Sequence, residues 1–150
     1  MVNIINGNLF TTTAPIIAHQ VNCRGKMGSG VALQIRKIYP EAYKQYIQLC
    51  HDPLFHGNLL GTAQKCICND KIIYNLYGQD NYGYDGGEYT NIYALKNAMK
   101  QLADYAQRQK LVIAMPYKIG CCRGGADWDN LVFPMIQQVF ENNNIELWKL

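Results

Sequence analysis

Short apolar runs alternate with amphipathic stretches along the whole chain. Residues 16–21 and 111–115 are brief and mostly apolar, which is typical of strands that are covered on both faces of a sheet. Residues 2–5 and 145–149 have the pattern of a first and a last strand. These four runs predict the strands of a central sheet.

Two further runs, residues 62–68 and 71–77, also have the composition of strands. Only Asn69 and Asp70 separate them, and this pair of residues is a tight-turn signal. The two runs are therefore predicted to be strands joined by a tight turn.

Four stretches carry apolar residues at helical spacing. In chain order these positions are Val31, Ala32, Ile35 and Ile38; Tyr43, Tyr46, Ile47 and Cys50; Ile92, Leu95, Met99, Leu102 and Ala106; Leu131, Val132, Met135, Ile136, Val139 and Phe140. Pro40 suits the first turn of the second helix, because a residue there needs no N–H. Thr90 is the predicted N-cap of the third helix, and Pro134 is predicted to bend the fourth. The alternation of strands and helices predicts an α/β fold with a sheet between helices.

Length and composition indicate one folded domain. The chain has 150 residues, of which 49% are apolar, so we expect a single domain over residues 1–150 and exclude general disorder. The net charge of +3 is too small to indicate a nucleic-acid-binding surface. No apolar run has the length of a membrane span, and the N-terminal residues lack the features of a signal peptide. A cytoplasmic location is therefore expected.

The cysteines are expected to be free thiols, because a reducing cytosol does not favour disulfides. They are Cys23, Cys50, Cys66, Cys68, Cys121 and Cys122. Together with His19, His51 or His56 they could form a zinc site, but their spacings match no standard zinc motif. Neither a metal nor a cofactor is expected.

Two glycine-containing loops, residues 23–30 and 119–125, each follow a predicted strand and precede a helix. Ligands of α/β sheets bind at the carboxyl ends of the strands. Glycines let the backbone approach a phosphate, and the N-terminus of the next helix offers N–H groups. The two loops favour a pyrophosphate held from both sides, and the alternative is a pair of ordinary tight turns. Neither loop has the glycine spacing of a P-loop or a dinucleotide-binding motif.

The first of these loops strongly resembles the ligand loop of macro domains. The similar segment is residues 17–32, with the sequence IAHQVNCRGKMGSGVA. Further similar segments follow in the family's order at residues 39–40, 75–79, 89–90 and 115–128. The resemblance is to the branch that includes ADP-ribose-1″-phosphate phosphatases and the glycohydrolases that remove terminal ADP-ribose from acidic side chains. The loop at residues 78–83 is similar to that of phage and bacterial members.

The resemblance implies a mixed six-stranded sheet between helices, in three layers, with ADP-ribose across its crest. The implied ligand-binding residues are Asn8, Leu9, Asn22, Gly25, Met27, Gly28, Ser29, Gly30, Val31, Gln79, Pro116, Ile119, Gly120, Cys121, Cys122, Arg123 and Gly124. Asn8 stands where the family usually has an aspartate that accepts a hydrogen bond from adenine, so it keeps an acceptor oxygen and loses the charge. Asn22 would touch the distal ribose, and the two glycine loops would enclose the diphosphate.

The resemblance also implies two alternative catalytic sets. The glycohydrolases use a lysine on the middle loop and an aspartate in the last glycine loop, but this chain has Gln79 or Asp80 and Gly124 at those places. The phosphatase-like members have a histidine just before the Asn-Cys pair and an acid near the last loop, which correspond to His19 and Asp127. A histidine that titrates near neutrality could transfer a proton, and the acid could orient it or a water molecule.

Simpler roles are open for the same residues. His19 could be a hydrogen-bonded core residue, and Asp127 is a natural N-cap for the last helix. Cys121 and Cys122 have no histidine as a neighbour in the sequence, so we expect them to pack and not to act as nucleophiles. The tyrosines around the middle loop could stack on a ligand or form an aromatic surface loop; they are Tyr77, Tyr82, Tyr84 and Tyr89.

The sequence thus predicts a metal-free macro domain that binds ADP-ribose and hydrolyses ADP-ribose-1″-phosphate to ADP-ribose and phosphate. Two alternatives stay open. One is an ADP-ribose reader without catalysis, and the other is a hydrolase that removes ADP-ribose from protein or nucleic acid. The expected partners are ADP-ribose or its 1″-phosphate and, under the last alternative, ADP-ribosylated macromolecules. Neither a membrane nor a direct nucleic-acid contact is expected.

Overall fold

A mixed sheet of six strands forms the centre of the protein. The computed structural model describes residues 1–55, 58–83, 85–122 and 124–150. The strands are β1 (Val2–Asn6), β2 (Ile16–Asn22), β3 (Ala63–Cys68), β4 (Lys71–Gln79), β5 (Ile113–Pro116) and β6 (Ile145–Lys149). Their order across the sheet is β1-β6-β5-β2-β4-β3. Neighbouring strands are parallel except β3, which pairs antiparallel with β4 at one edge.

Within the described ranges, four α-helices cover the two faces of this sheet. They are α1 (Gly30–Ile38), α2 (Pro40–Cys50), α3 (Ile92–Gln109) and α4 (Phe133–Val139). Buried side chains of α3 and α4 pack against one face, and those of α1 and α2 pack against the other. The three-layer α/β fold with a mixed six-stranded sheet is therefore confirmed.

The central strand β2 positions the loops that matter for function. Ile16 and Ala18 pack on the α3 and α4 side, whereas Ile17 packs on the α1 and α2 side, so the strand is apolar on both faces. It pairs in parallel with β4 on one side and β5 on the other. Parallel strands bring their carboxyl ends to one edge of the sheet, so the loops after these three strands meet there.

The N-cap of α3 is Asn91, and the prediction of Thr90 is wrong by one residue. The Asn91 side chain accepts hydrogen bonds from the N–H groups of Tyr93 and Ala94, as an N-cap does. Thr90 instead donates its hydroxyl hydrogen to the Gly120 carbonyl oxygen at 2.7 Å. Both residue types can cap a helix, so the path of the backbone decides between them.

Pro134 lies within one continuous helical run, as predicted, close to the point where a π-helical turn passes into an α-helix. Trp128–Val132 forms a π-helical turn, and α4 begins after it at Phe133. Pro134 therefore lies in the first turn of α4. Val132 and Phe133 are both in the right-handed helical conformation, so the missing N–H of Pro134 leaves a gap in the hydrogen bonds to the preceding turn.

Cysteine and histidine residues are dispersed through the fold. All six cysteines are free thiols. Over the described ranges, no group of three or more His, Cys, Asp or Glu side chains is placed to hold a metal ion. His56, one of the histidines considered for zinc, lies outside the described residues. None of the described helices combines the length and the hydropathy needed to cross a membrane.

Leu102→Ala is expected to destabilise the fold strongly. Leu102 lies on α3, is 0% exposed and belongs to the core between α3, α4 and the sheet. Loss of a buried leucine side chain leaves a cavity and lowers the free energy of unfolding by about 2–5 kcal/mol. Urea denaturation measures this change. Leu54→Ala is the matched control, because Leu54 is 84% exposed, and its effect should stay within about 0.5 kcal/mol. Equal effects would contradict the core assignment.

Candidate ligand-binding site

A crevice of two adjoining hollows opens where β2, β4 and β5 end. The first hollow holds about 120 Å³ and is lined by Gln20, Val21, Asn22, Lys26, Gly28, Ser29, Ala32, Gln79, Tyr82 and Gly83. The second hollow holds about 260 Å³ and is lined by His19, Gln20, Gly30, Val31, Ala32, Gln79, Pro116, Tyr117, Lys118, Ile119, Gly120, Cys122 and Gly124. Gln20, Ala32 and Gln79 line both hollows, which are therefore direct neighbours.

The residues implied as ligand-binding fall into two groups. Those that line the crevice are Asn22, Gly28, Ser29, Gly30, Val31, Gln79, Pro116, Ile119, Gly120, Cys122 and Gly124. Those that line neither hollow are Asn8, Leu9, Gly25, Met27 and Cys121. Arg123 lies outside the described residues. Both glycine-containing loops thus contribute to the lining, together with residues from the ends of β2, β4 and β5.

Asn8 and Leu9 lie at a short 3-10 turn, Leu9–Thr11, that follows β1. The Asn8 side-chain oxygen accepts a hydrogen bond from the Phe10 N–H at 3.0 Å and so caps this turn. Leu9 is buried in a cluster with Ile17 and Ala114. Local capping and packing therefore determine both positions, while the Asn8 oxygen keeps a second lone pair that a ligand could use.

A buried tyrosine holds the first glycine loop in place. The Tyr46 hydroxyl lies 2.7 Å from Asn22 Oδ1 and 2.8 Å from the Asn22 carbonyl oxygen, and it accepts a hydrogen bond from the Lys26 N–H at 3.1 Å. Asn22 Nδ2 donates to the Lys26 carbonyl oxygen at 2.9 Å. Met27 is 1% exposed and packs beside Tyr46, and Gly25 turns the chain with a φ of +75°. Met27 and Gly25 therefore shape the loop without lining the crevice. The sequence showed Tyr46 only as an inward position of α2.

The N-terminus of α1 lies at the second hollow. Gly30 and Val31 line this hollow, and Leu33 N–H donates to the Ser29 carbonyl oxygen at 3.2 Å. The amides of Gly30, Val31 and Ala32 precede that bond and have no acceptor within the helix. Gly30 has a φ of +58°, a conformation that favours glycine. Such amides, together with the helix dipole, favour an anionic group.

The second glycine loop is held by the residues just before α3. The N–H groups of Tyr89 and Thr90 both donate to the Gly124 carbonyl oxygen, at 2.7 and 2.9 Å. A Cβ atom at Gly124 would lie 2.0 Å from Thr90 Oγ1 and 2.5 Å from the Gly120 carbonyl oxygen. Glycine at position 124 is therefore required by the close approach of the two segments.

Gln20 connects the loops of the crevice and was missed by the sequence analysis. Its Nε2 donates to Gln79 Oε1 at 2.6 Å and to Thr90 Oγ1 at 2.8 Å. Its Oε1 is buried and has no hydrogen-bond partner in the described part of the chain. The available signal was a long polar side chain near the carboxyl end of an apolar strand, where ligands of α/β sheets bind.

His19 lies in β2 and lines the second hollow. Its ring is 1% exposed, its Nε2 lies 2.6 Å from Asn75 Oδ1, and its Nδ1 is buried without a partner among the described residues. Burial lowers the pKa of the imidazole to about 4, and the hydrogen bond with Asn75 opposes this shift only in part. The expectation that His19 titrates near neutrality is therefore wrong. At pH 7 the ring is uncharged and can accept a hydrogen bond.

Asn75 was not recognised as a partner of His19 from the sequence. The sequence does indicate one neighbour of Asn75, because a two-residue turn at Asn69 and Asp70 determines the register of β3 and β4. That register places Asn75 opposite Gln64. The pairing of β2 with β4, which brings His19 to Asn75, leaves no such local signal.

Asp127 is the N-cap of the π-helical turn. Its Oδ1 accepts a hydrogen bond from the Asn130 N–H at 3.1 Å, and its Oδ2 accepts one from Asn130 Nδ2 at 2.9 Å. These bonds lower the pKa of the exposed carboxyl group. Asp127 lines neither hollow. The structure thus brings His19 to the crevice, and it supports the capping role of Asp127.

The adjacent cysteines of the second glycine loop differ in their surroundings. Cys121 packs against the core, and its thiol lies 3.5 Å from the Ile119 carbonyl oxygen. Burial, and then the neighbouring Cys122, raise the pKa of the Cys121 thiol to about 11. Cys121 is therefore a protonated packing residue at neutral pH. Cys122 is exposed and lines the second hollow.

The tyrosines of the middle loop do not form one group. Tyr77 is fully buried in the core, so it is not available for stacking on a ligand. Tyr82 lines the first hollow. Tyr89 donates its hydroxyl hydrogen to Asp85 at 2.8 Å. Tyr84 lies outside the described residues.

These features define a three-layer α/β domain with a ligand crevice at the carboxyl edge of a mostly parallel sheet. The family model of the Macro domain matches residues 18–132, a range that spans His19 and both glycine-containing loops. The chain therefore belongs to the macro domain family.

Similar proteins of known name include two kinds of hydrolase. The ADP-ribose 1″-phosphate phosphatase of Lodderomyces elongisporus is 30% identical over 143 residues, which cover 86% of this chain and 87% of that protein. The DNA ADP-ribosyl glycohydrolase of Thermus aquaticus is 26% identical over 151 residues, which cover 99% of this chain and 40% of that protein. Further curated relatives match over less than half of their own length.

A solved structure shows the same fold. The macrodomain of Thermus aquaticus DarG has a TM-score of 0.81 with this chain at 23% sequence identity. The match covers 100% of this chain and 99% of that one. The architecture therefore agrees from end to end.

Tyr46→Phe is expected to loosen the first glycine loop. The change removes the hydroxyl that bonds to Asn22 and Lys26 and leaves buried polar groups unpaired, which lowers the free energy of unfolding by about 1–3 kcal/mol. Urea denaturation measures the loss, and amide hydrogen exchange should become faster at Lys26. Tyr43→Phe on the same helix is the matched control and should stay within about 0.5 kcal/mol. If the Tyr46→Phe protein is as stable as the control, the Tyr46 hydroxyl does not stabilise the first glycine loop.

Proposed function

We propose that this protein binds ADP-ribose along the crevice and hydrolyses ADP-ribose-1″-phosphate to ADP-ribose and phosphate. The observation that carries the proposal is the second hollow, which is lined by both the N-terminus of α1 and the second glycine loop. Backbone amides presented by glycines suit a diphosphate, because they bond to its oxygens without adding side-chain volume. Two similar proteins named for ADP-ribose substrates support this choice of ligand.

The charges around the crevice favour the same ligand. Lys26 lines the first hollow and Lys118 lines the second, and neither Asp nor Glu occurs among the described lining residues. A doubly negative diphosphate would therefore meet amides and positive charge without an opposing carboxylate. Asn22 and Ser29 give the first hollow the polar groups that a ribose needs.

Hydrolysis of the 1″-phosphate transfers the phosphoryl group to water and releases the ribose oxygen. The reaction depends mainly on positioning and on neutralising charge, which the loop amides would supply. His19 is the candidate catalytic residue, since it lines the second hollow and its Nδ1 has no partner among the described residues. With a pKa of about 4 the ring would orient the attacking water more than it would take its proton. The proposed reaction uses no metal.

Removal of ADP-ribose from DNA is the second candidate function. It is favoured by the match to the DNA ADP-ribosyl glycohydrolase of Thermus aquaticus, which extends over 99% of this chain at 26% identity. However, this chain has Gln79 or Asp80 and Gly124 where the resemblance implies the lysine and the aspartate of the glycohydrolases that act on acidic side chains. We therefore place phosphatase activity first.

Gly28→Glu is expected to weaken ADP-ribose binding at least about tenfold, and Gly28→Ala should preserve it. Gly28 lines the first hollow, and a Cβ atom there meets no heavy atom within 4 Å. Alanine therefore fits, whereas glutamate brings volume and a negative charge into the first hollow, beside the hollow proposed for the diphosphate. Calorimetry should show at least about a tenfold loss of affinity for the glutamate variant, equivalent to about 1.4 kcal/mol.

Circular dichroism must show that both Gly28 variants are folded. A thermal shift supplies a second readout, since ligand at a hundredfold excess over Kd stabilises the native protein by about 2.7 kcal/mol. A wild-type protein that does not bind millimolar ADP-ribose would contradict the proposed function. Equal binding by the two variants would instead contradict the placement of the phosphates.

His19→Ala is expected to reduce phosphate release from ADP-ribose-1″-phosphate by about 10²-fold, as for loss of a group that positions the attacking water. ADP-ribose binding should persist. Asp127→Asn is the matched comparison, because asparagine caps a helix about as well as aspartate, so the rate should change by no more than about twofold. A phosphate-release assay measures both.

The outcomes of this assay separate the alternatives. Wild-type turnover by His19→Ala would show that His19 is a buried residue without a catalytic role. A large loss of rate in Asp127→Asn would show that the Asp127 carboxylate takes part in catalysis. A wild-type protein that binds ADP-ribose but releases no phosphate would be a reader. Release of ADP-ribose from modified DNA without phosphatase activity would favour the second candidate function.

A further inference from the structure

A row of polar side chains crosses the sheet from His19 towards α2. β2 pairs with β4 so that His19 is opposite Asn75, and β4 pairs with β3 so that Asn75 is opposite Gln64. His19 Nε2 lies 2.6 Å from Asn75 Oδ1, and Asn75 Nδ2 donates to Gln64 Oε1 at 3.1 Å. Gln64 Nε2 donates to the carbonyl oxygen of Gln45 on α2 at 2.9 Å. The row is therefore continuous over three strands and one helix.

The last acceptor of the row, the Gln45 carbonyl oxygen on α2, determines the direction of every hydrogen bond in it. The Gln45 carbonyl oxygen can only accept, so Gln64 must donate through Nε2 and present Oε1 as an acceptor. This Oε1 accepts from Asn75 Nδ2 and from the Tyr77 hydroxyl, which lies 2.9 Å away. Asn75 then presents its Oδ1 to His19, and a carbonyl oxygen can only accept. The His19 ring must therefore carry its hydrogen on Nε2.

This arrangement leaves His19 Nδ1 as an unprotonated acceptor. The atom is buried and has no partner in the described chain, and the residue lines the second hollow. A buried acceptor without a donor is unfavourable, so a donor is expected from the crevice. We propose that Asn75 is a positioning residue that keeps His19 in the Nε2–H tautomer, so that Nδ1 accepts a hydrogen bond from a ligand hydroxyl group or a water molecule. The choice of ADP-ribose as that ligand rests on the proposed function.

The acceptor character restricts which part of a ligand can lie at His19. Ionised phosphate oxygens bring negative charge and lone pairs, which an unprotonated nitrogen repels, whereas a ribose hydroxyl or a water brings a hydrogen. Gln20 Oε1 is a second buried acceptor without a partner among the described residues, and Gln20 lines the same hollow. Each of these two acceptors favours a ligand hydroxyl group or a water molecule as its partner. The phosphates are therefore assigned to the loop amides, and a sugar hydroxyl or the attacking water to His19.

Nitrogen-15 NMR of the full chain with labelled histidine tests the tautomer directly. Ring nitrogens with and without a hydrogen have well-separated resonances, and the variant His19→Gln identifies the His19 signals among the three histidines. At pH 7, without ligand, we expect a protonated Nε2 and an unprotonated Nδ1. Saturation with ADP-ribose should shift the Nδ1 resonance more than that of Nε2. A ring protonated on Nδ1, or an Nδ1 resonance that bound ADP-ribose leaves unchanged, would overturn the proposal.

Asn75→Leu and Gln64→Glu are a matched pair of variants. Leucine removes the acceptor that faces Nε2, so a mixture of the two tautomers should appear. Glutamate at position 64 keeps an acceptor for Asn75 Nδ2 and the Tyr77 hydroxyl, so the Nε2–H tautomer should persist. An unchanged tautomer in folded Asn75→Leu would overturn the role of Asn75. If that variant does not fold, the wild-type spectrum still decides the tautomer.

Calorimetry measures ADP-ribose binding independently of the histidine tautomer, so it distinguishes failure of this inference from failure of the proposed function. A protein that does not bind ADP-ribose would end the proposed function, and with it the assignment of the ligand hydroxyl, while the ligand-free spectrum would still decide the tautomer. A protein that binds ADP-ribose without any response at Nδ1 would keep the proposed function and overturn the present inference.

Discussion

The parallel pairing of β2 with β4 on one side and β5 on the other determines where the chemistry of this protein lies. Because all three strands run in the same direction, their carboxyl ends meet at one edge of the sheet. Their buried side chains are mostly apolar, apart from the polar row that joins His19 and Asn75. Polar groups are therefore concentrated at that edge, where the two glycine-containing loops and the N-terminus of α1 converge on the crevice.

Close approach of backbone segments is the second constraint, and it explains the glycines more directly than flexibility does. Gly124 has no room for a Cβ atom against Thr90 and Gly120, whereas Gly28 borders open space. Glycine at position 124 thus holds the loops together, while glycine at position 28 keeps the crevice clear. The buried hydroxyl of Tyr46 then supports the first loop from α2, so a core side chain sets the shape of a surface loop.

Burial changes the pKa of side chains that would be reactive if they were exposed. His19 has a lowered pKa because its ring is desolvated within the sheet, where its Nε2 lies 2.6 Å from Asn75 Oδ1. The Cys121 thiol has a raised pKa for the same physical reason. Asp127, by contrast, is exposed, and its hydrogen bonds to Asn130 tie it to the start of a helical turn.

The sequence by itself determined the alternation of strands and helices, the two glycine-containing loops and the family, because hydrophobic periodicity and loop motifs are local patterns. It also predicted Asp127 as a possible N-cap, since capping depends on residues a few positions apart. Only the tertiary structure decided the partners of His19, the support of the first loop by Tyr46 and the link made by Gln20. Those hydrogen bonds join segments far apart in the chain, and the charge of His19 depends on its burial, so no local pattern records them.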